Sequence, residues 1–410
     1  MPLEDGREMQ PHTKIVITGA SGFLGQMVVP RVVERRCDVS VVGRTPSRLQ
    51  QLFPGIEAFD YTDLAEKARG AHLLVHLAVE NNDTGLSETE MRAVNVDLAL
   101  NVALAAKTAG VPSFLNVSSV QALDGANRHP YAVNKREAIE RLGELQGIEI
   151  ASVFLPLVYG ENWSGSLVWL NRFPRWLADR LFQPLAAMKP TVHVDRIVDL
   201  IISQIPPKDA GELILSDNQS DNPFYTGARR LADLAFALVV VLFFWWFLAL
   251  IWALVRVSSD GPGLFPQKRI GRQARSFICY KFRTMAVGTK EAGTHEISSL
   301  SVTRIGHLLR KTKLDELPQV WNILRNEMSL IGPRPCLPSQ TELIAERQKR
   351  GVLDVKPGIT GLAQINGIDM VEPRRLAIWD AKYLALRGLV LDAKIAIATA
   401  LGNGRGDRTS

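Results

Sequence analysis

The chain has 410 residues, 46% of them apolar and 22% charged, with a formal charge of +6. That length predicts more than one domain, and that much apolar material builds buried cores, which excludes a disordered chain. Nucleic-acid binding is set aside as well, because no aromatic-interleaved basic helix or recognition motif accompanies the modest positive charge.

Three cysteines, Cys37, Cys279 and Cys336, lie far apart with no ligand or redox spacing, so each reads as an ordinary thiol in a reducing compartment. The histidines form no metal-type cluster. The opening "MPLEDGREMQPHTK" is polar and lacks the apolar centre of a secretory signal, so the front half is expected to stay in the cytoplasm.

In chain order, "KIVITGASGFLGQMVV" is a β-branched strand, a turn with Gly19, Gly22 and Gly25, and the start of a helix. Such glycines let backbone amides at a helix N-terminus approach a pyrophosphate. Further apolar strands follow at "DVSVVGR", "AHLLVHLA", "PSFLNVSS" and "IEIASVFLP", with helical stretches between them, as a doubly wound parallel sheet requires. The second strand ends in Gly43-Arg44 with no acid to hold ribose hydroxyls, and Arg44 would meet a 2′-phosphate, which favours NADP(H) over NAD(H).

"YAVNK" puts Tyr131 and Lys135 one helical turn apart on one face. A neighbouring ammonium is expected to lower the phenol's pKa, so that the phenol can exchange a proton with a sugar oxygen as hydride moves. Ser119, at the end of "FLNVSS", would hydrogen-bond the same oxygen.

With "GASGFLG", "VHLAVEN", "NVDLALNVALAAKTAG", "NVSS", "YAVNK", "LPLVYG" and "HVDRIVDLI", residues 13 to about 218 resemble an extended short-chain dehydrogenase/reductase of the nucleotide-sugar epimerase/dehydratase type. The resemblance implies Ser119, Tyr131 and Lys135 as catalytic residues and Asn95 as a supporting one. It makes Gly19, Gly22, Gly25, Arg44 and Asp60 cofactor contacts. The family's Arg-Pro before "VYG" is Leu155-Pro156 here, and its Tyr-Gly after the serine strand is Leu123-Asp124. Val120-Gln121 stands where a dehydratase carries an Asp-Glu pair, which leaves 4-keto reduction or 4-epimerisation of a UDP-sugar.

From Leu234 to Val255 there is no charge. As one helix this segment would be about 33 Å long, enough to cross a bilayer core. Three tryptophans and basic flanks (Arg229, Arg230, Arg256, Lys268, Arg269, Arg272, Arg275) suit lipid headgroups. Arginines at both ends give no positive-inside preference, so a re-entrant helix is the expected geometry.

After it, "GPGLFPQKRIGRQARSFICYKFRTM", "LRKTKLDELPQVWNILRNEMSLIGPRP" and "VKPGITGLAQING" are dense in Gly, Pro, Arg and Lys, suited to turns around phosphate. At "KLDELPQ" the carboxylates Asp315 and Glu316 follow Arg310, Lys311 and Lys313. With "GPRP" and "YKFRTM", residues 228 to about 400 resemble the bacterial sugar transferases, the monotopic polyprenol-phosphate phosphoglycosyl transferases. The resemblance implies transfer of a sugar phosphate from a UDP-sugar to undecaprenyl phosphate at the bacterial inner membrane, with Asp315 as nucleophile and Mg²⁺ at Asp315. Glu316 would orient or deprotonate the incoming group, and Lys281, Arg283, Arg310 and Arg334 would hold phosphate oxygens. Asp354, Asp380 and Tyr383 fall in later motifs. The family's helix-breaking proline is Trp246 here.

The expected organisation is α/β: a Rossmann-like reductase or epimerase domain over 1–220, a re-entrant membrane helix over 228–258, a mainly α transferase domain over 259–402 and a polar tail over 403–410. Both catalytic domains would face the cytoplasm, where both nucleotides are found, and a homodimer is left open.

Overall fold

A computed structural model describes residues 13–79, 87–161, 163, 165–203, 212–286 and 302–402. The opening residues 1–12, part of "VHLAVEN" and the tail 403–410 lie outside them. The chain divides into two compact units, Met1–Phe182 with Pro190–Asp217, and Gln183–Lys189 with Asn218–Ser410.

In the first unit the apolar runs become parallel strands β1 (Lys14–Thr18), β2 (Asp38–Val42), β3 (Glu57–Phe59), β4 (Leu73–His76), β5 (Ser113–Ser119) and β6 (Glu149–Leu155). A small parallel pair follows, β7 (Leu157–Tyr159) with β8 (Thr191–His193), and β9 (Leu213–Ile214) completes the main sheet. The order β3-β2-β1-β4-β5-β6-β9 reverses direction at β1, the doubly wound arrangement that places a crevice at the strand C-termini between β1 and β4. Both faces are covered, as continuous rather than alternating apolar runs require. One face packs Val28, Val29, Val32, Ile197, Val198 and Ile201. The other packs Ala99, Val102, Ala103 and Ala106, small residues that let a helix lie close to the sheet.

The second unit is mostly helical around two short ribbons, antiparallel β10 (Leu264–Ile270) with β11 (Ser276–Phe282), and parallel β12 (Ser329–Ile331) with β13 (Gly358–Thr360). Among the described residues no single helix is long and apolar enough to cross a membrane, but Pro223–Phe243 and Trp245–Ser258 form an apolar pair bent by 69°. The bend falls at Phe244 (φ −116°, ψ 12°), two residues before the position expected from the family's proline. A break of this kind strands a carbonyl. Here the indole of Trp246 donates to the Phe243 carbonyl at 3.0 Å, so the side chain standing in for proline occupies the acceptor that the bend exposes.

Three of the arginines expected to meet headgroups, Arg229, Arg230 and Arg269, are turned toward the protein instead. Arg229 donates to Ser329 Oγ at 2.9 Å and to the Ile331 carbonyl. Arg230 donates to the Ile323 carbonyl at 2.8 Å, and Arg269 is buried against Gln267 and the Pro335 carbonyl. These donors satisfy backbone acceptors at the ends of short elements, a demand that charge counting does not reveal.

Candidate active sites

The glycine turn of the first unit is built for close approach. Gly19 is left-handed (φ +72°), and a Cβ there would lie 2.3 Å from the Ala78 nitrogen. At Gly25 a Cβ would meet the Ala20 backbone at 2.5 Å, so neither position admits a side chain. Gly22 caps the helix Phe23–Glu34 without any side-chain capping bond, leaving amides of its first turn toward the crevice. Arg44 follows β2, and its charge reaches Tyr61, whose hydroxyl burial pushes up in pKa and Arg44 pulls back. Asp60 accepts from the Thr62 amide at 3.1 Å, turning the chain after β3. Asn95 is buried in a π-helical turn over Ala93–Leu98, an irregularity common where a side chain must be aimed.

Ser119 ends β5, and Tyr131 and Lys135 sit on the first two turns of the helix Pro130–Gly143, which Pro130 starts. Ser119 is hydrogen-bonded to the Tyr131 hydroxyl. Lys135 is buried and donates to the Val117 carbonyl at 3.3 Å. Burial pushes its ammonium down to about 8. The expected lowering of the phenol is not found: burial raises the Tyr131 pKa, and only the Ser119 hydrogen bond opposes it. Beneath them His76 is hydrogen-bonded to Thr18 at 2.8 Å and held neutral, near 3, by burial and then by the Lys135 charge.

In the second unit the helix Arg304–Thr312 ends at Lys313, held left-handed at φ 58°, and the helical turn Leu314–Gln319 begins at once. A non-glycine residue in that conformation is strained, and it swings Asp315 and Glu316 into the first turn of the next helical segment. Glu316 is buried between Lys281 Nζ (2.9 Å), on β11, and Arg334 Nη2 (3.1 Å), in "GPRP". Burial would raise its pKa, but Lys281 and Arg334 pull it down to about 2, so it is a fixed anion. Asp315 is half-buried with its pKa raised to about 6, by burial and then by the Glu316 charge, against Lys281, Arg334 and Arg310. Arg310 is oriented by a 3.0 Å bond from Nε to Thr284 Oγ1. Asp315, Glu316, Lys281, Arg310 and Arg334 therefore form one electrostatic group.

Arg283 does not join them. Its guanidinium donates to the Asp260 (2.5 Å) and Ser259 (2.7 Å) carbonyls just past the helix Trp245–Ser258, and at 3.4 Å to the Val255 carbonyl in its last turn, an acceptor without a helical donor. Asp380 forms a buried pair with Arg347 at 2.7 Å, Tyr383 donates to Asp392 at 2.8 Å, and Asp354 is exposed. Asp380 and Tyr383 are thus held within the packed interior. Arg269 lines the small cavity that Lys281, Glu316 and Arg334 also line, a placement no spacing signalled. Among the described residues no cluster of three or more His, Cys, Asp or Glu could hold a metal, so a cation here would need substrate oxygens for most of its shell.

Comparison with known proteins separates the same two parts. The NAD dependent epimerase/dehydratase family model matches residues 15–202 and the bacterial sugar transferase model matches residues 224–403. The chain is 40% identical over 147 residues to the uncharacterized sugar transferase EpsL of Bacillus subtilis, covering 36% of this chain and 72% of that one. It is 35% identical to the exopolysaccharide production protein ExoY of Rhizobium meliloti, covering 42% of this chain and 83% of that one. It is 34% identical to the UDP-glucose:undecaprenyl-phosphate glucose-1-phosphate transferase of Xanthomonas campestris, covering 43% of this chain and only 39% of that longer protein. Among solved structures, the Bordetella bronchiseptica enzyme WbmG in complex with NAD and UDP is 18% identical with a TM-score of 0.40, covering 50% of this chain and 73% of that one. The chain belongs to the bacterial sugar transferase family and carries ahead of that region a domain of the NAD-dependent epimerase/dehydratase family.

Proposed function

We propose that the chain makes and then uses a UDP-sugar: the first unit reduces a 4-keto UDP-sugar of the 6-deoxy-N-acetylhexosamine type, and the second transfers the resulting sugar 1-phosphate to undecaprenyl phosphate, releasing UMP. The observation that carries the transferase half is the divergence of two adjacent carboxylates. Glu316 is locked as an anion by Lys281 and Arg334, while Asp315 makes no direct ion pair among the described residues and has its pKa raised to about 6 by burial and by the Glu316 charge. A carboxylate that is ionised at neutral pH, with cations near it but none paired to it, is a usable nucleophile.

In the first step an Asp315 carboxylate oxygen attacks the β-phosphorus of the UDP-sugar, and the bond to the bridging oxygen breaks as UMP leaves. The sugar phosphate is then esterified to Asp315 as an acyl phosphate. Attack by an undecaprenyl phosphate oxygen on the same phosphorus frees Asp315 and gives the lipid-linked diphosphate sugar. Lys281, Arg310 and Arg334 offset the diphosphate's charge, and Glu316 fixes the two inner cations. Mg²⁺, held by Asp315 and diphosphate oxygens, would supply further charge neutralisation.

In the first unit the glycine cradle fits a pyrophosphate, and NADPH, when bound there, supplies the hydride. Tyr131 gives its proton to the C4 oxygen, Ser119 holds that oxygen, and Lys135 replaces the electrostatic support that burial removes from the phenolate. Arg44 beyond β2 supports a 2′-phosphate. The same triad would serve a 4-epimerase, which keeps its cofactor through the cycle. Denaturing the purified chain separates the two, since a reductase releases no stoichiometric NAD⁺. The test of the whole is incubation with radiolabelled UDP-sugar: label must appear on the polypeptide before the lipid, and turnover without labelled polypeptide would remove the Asp315 step.

A bent apolar pair suits a monotopic enzyme of the bacterial inner membrane, with both units on the cytoplasmic face where UDP-sugars are made. Reporters at the two ends of the chain would test this, and a periplasmic N-terminus refutes it. Joining a producer to a consumer raises the local concentration of the shared sugar nucleotide.

A further inference from the structure

We infer that the first unit carries its own membrane contact, a Trp–Phe–Arg face over Val168–Arg180 that seats on anionic phospholipid headgroups. The inference rests on the reading that the bent pair enters a bilayer. The helical stretch Gly165–Arg172 runs almost without a break into the helix Arg175–Met188: the Phe173 amide donates to Leu170 at 3.1 Å and the Ala178 amide to Pro174 at 3.0 Å. Side chains three apart share a face of the first stretch, a 3-10 helix, and three, four and seven apart a face of the α-helix that follows, while the Trp169 and Phe173 rings meet edge on at 6.0 Å at the junction. One row, Leu170, Ala178 and Phe182, is 0%, 3% and 6% exposed. The other row turns apolar bulk outward, with Val168 53%, Trp169 42%, Phe173 40% and Trp176 63% exposed.

A stripe of that size on water marks a contact surface, and its charges select the occupant. Between residues 167 and 182 the charged side chains are Arg172, Arg175, Arg180 and Asp179, and Asp179 lies 3.9 Å from Arg175. Arg180 lies over the Trp176 ring at 5.9 Å. Tryptophan and phenylalanine beside arginine is the composition of an element lying at the level of headgroups, where rings enter the acyl boundary and guanidinium groups meet phosphate. A second copy of the chain fits poorly, because a two-fold contact would set these arginines against themselves. Tethering to a membrane-inserted unit keeps the face near lipid, so a weak contact suffices.

The test uses the full chain in nanodiscs of phosphatidylethanolamine and phosphatidylglycerol, in a Cys37→Ser background that leaves the buried Cys279 and Cys336 unlabelled. An environment-sensitive fluorophore is attached at Trp176→Cys, at Phe243→Cys in the bent pair and at Glu140→Cys on the polar face of another helix, and quenching by spin-labelled phospholipid is read. The expected result is strong quenching at 243 by deep labels, at least twofold quenching at 176 by shallow labels, and none at 140. Arg172→Glu with Arg180→Glu should halve the quenching at 176 or more while UMP release persists, which shows the variant is folded. Quenching at 243 without any at 176 overturns this inference alone, and absence at 243 overturns the membrane reading beneath it. A shift at 176 that depends on protein concentration rather than on lipid assigns the face to self-association, and the inference falls.

Discussion

The two sites handle a buried charge in opposite ways. Around Lys135 no carboxylate among the described residues answers the ammonium: it meets the Val117 carbonyl, and burial pulls it down to about 8. Around Glu316 burial is overruled by two cations, and the carboxyl falls to about 2. Hydride transfer to a carbonyl develops charge on one oxygen, so a single ammonium already in place is enough to answer it. Transfer of a diphosphate's sugar phosphate brings anions together, and a site for it must hold its cations in place beforehand. The chemistry proposed for each unit thus follows from what its charges already have as partners.

The sharpest way to break that comparison is to remove the proposed nucleophile. Asp315→Asn keeps size and hydrogen bonding but cannot form the acyl phosphate, so UMP release should fall about 10⁴-fold or more while NADPH oxidation is unchanged. Residual UMP release near the native rate would return the carboxylate to a binding role. Tyr131→Phe should do the converse, lowering NADPH oxidation with a 4-keto UDP-sugar by about 10²- to 10⁴-fold and leaving UMP release intact. If Tyr131→Phe leaves reduction intact, or if the native chain never oxidises NADPH, the first unit is a binding module and the contrast between two working sites disappears.

How much of this was legible in the sequence depends on the distance over which a signal acts. The strand pattern, the glycine turn and the Tyr131–Lys135 spacing are local, and the doubly wound sheet follows from them. Lys281, Arg310, Arg334 and the two carboxylates were marked by family motifs, and the fold brings them into one electrostatic group from β11, a helix end, a turn and the "GPRP" loop. Arg283 belonged to the same motif as Lys281 and went elsewhere. Two residues along β11 a side chain points to the same face, but Arg283 lies just past the strand end at Phe282, where carbonyls at and beyond the end of the helix Trp245–Ser258 take its donors. The raised Tyr131 pKa was also out of reach, because spacing shows that an ammonium is near but not how far the phenol is buried. Arg347 carried no pattern at all, since it is defined by Asp380, dozens of residues away, and Arg269, expected among headgroups, is instead fixed by Gln267 beside it and by the distant Pro335 carbonyl.

A subtler contrast lies in pH. Asp315, raised to about 6, must be ionised to attack, so the rate of polypeptide labelling should be flat above about pH 7 and fall tenfold per unit below about 6, while Glu316 stays charged throughout. Measured by rapid-quench labelling between pH 4.5 and 8, a profile that stays flat to pH 5 would mean that substrate or metal lowers the Asp315 pKa on binding. Lys281→Met removes one of the two cations on Glu316. The Asp315–Glu316 pair then shares less positive charge, and the midpoint of labelling should move to higher pH, with a loss of several-fold at pH 6.5.

The smallest effect concerns the bend in the apolar pair. Trp246→Phe keeps an aromatic ring and deletes only the indole N–H that occupies the Phe243 carbonyl. An unmade hydrogen bond of this kind costs about 1–3 kcal/mol where water cannot replace it. The helix can recover it by straightening, since the Phe247 amide would then meet that carbonyl. Spin labels at the exposed positions Leu231 and Val257 should therefore report a broader and longer distance distribution in nanodiscs for Trp246→Phe than for the native chain. Trp246→Pro should keep the bend, because position 246 lies in the first turn of the second helix, where an amide has no helical acceptor and a proline ring is tolerated. If both variants hold the native distance, packing of Ile251 and Val255 against Phe282 and Leu309 fixes the angle, and the indole is incidental.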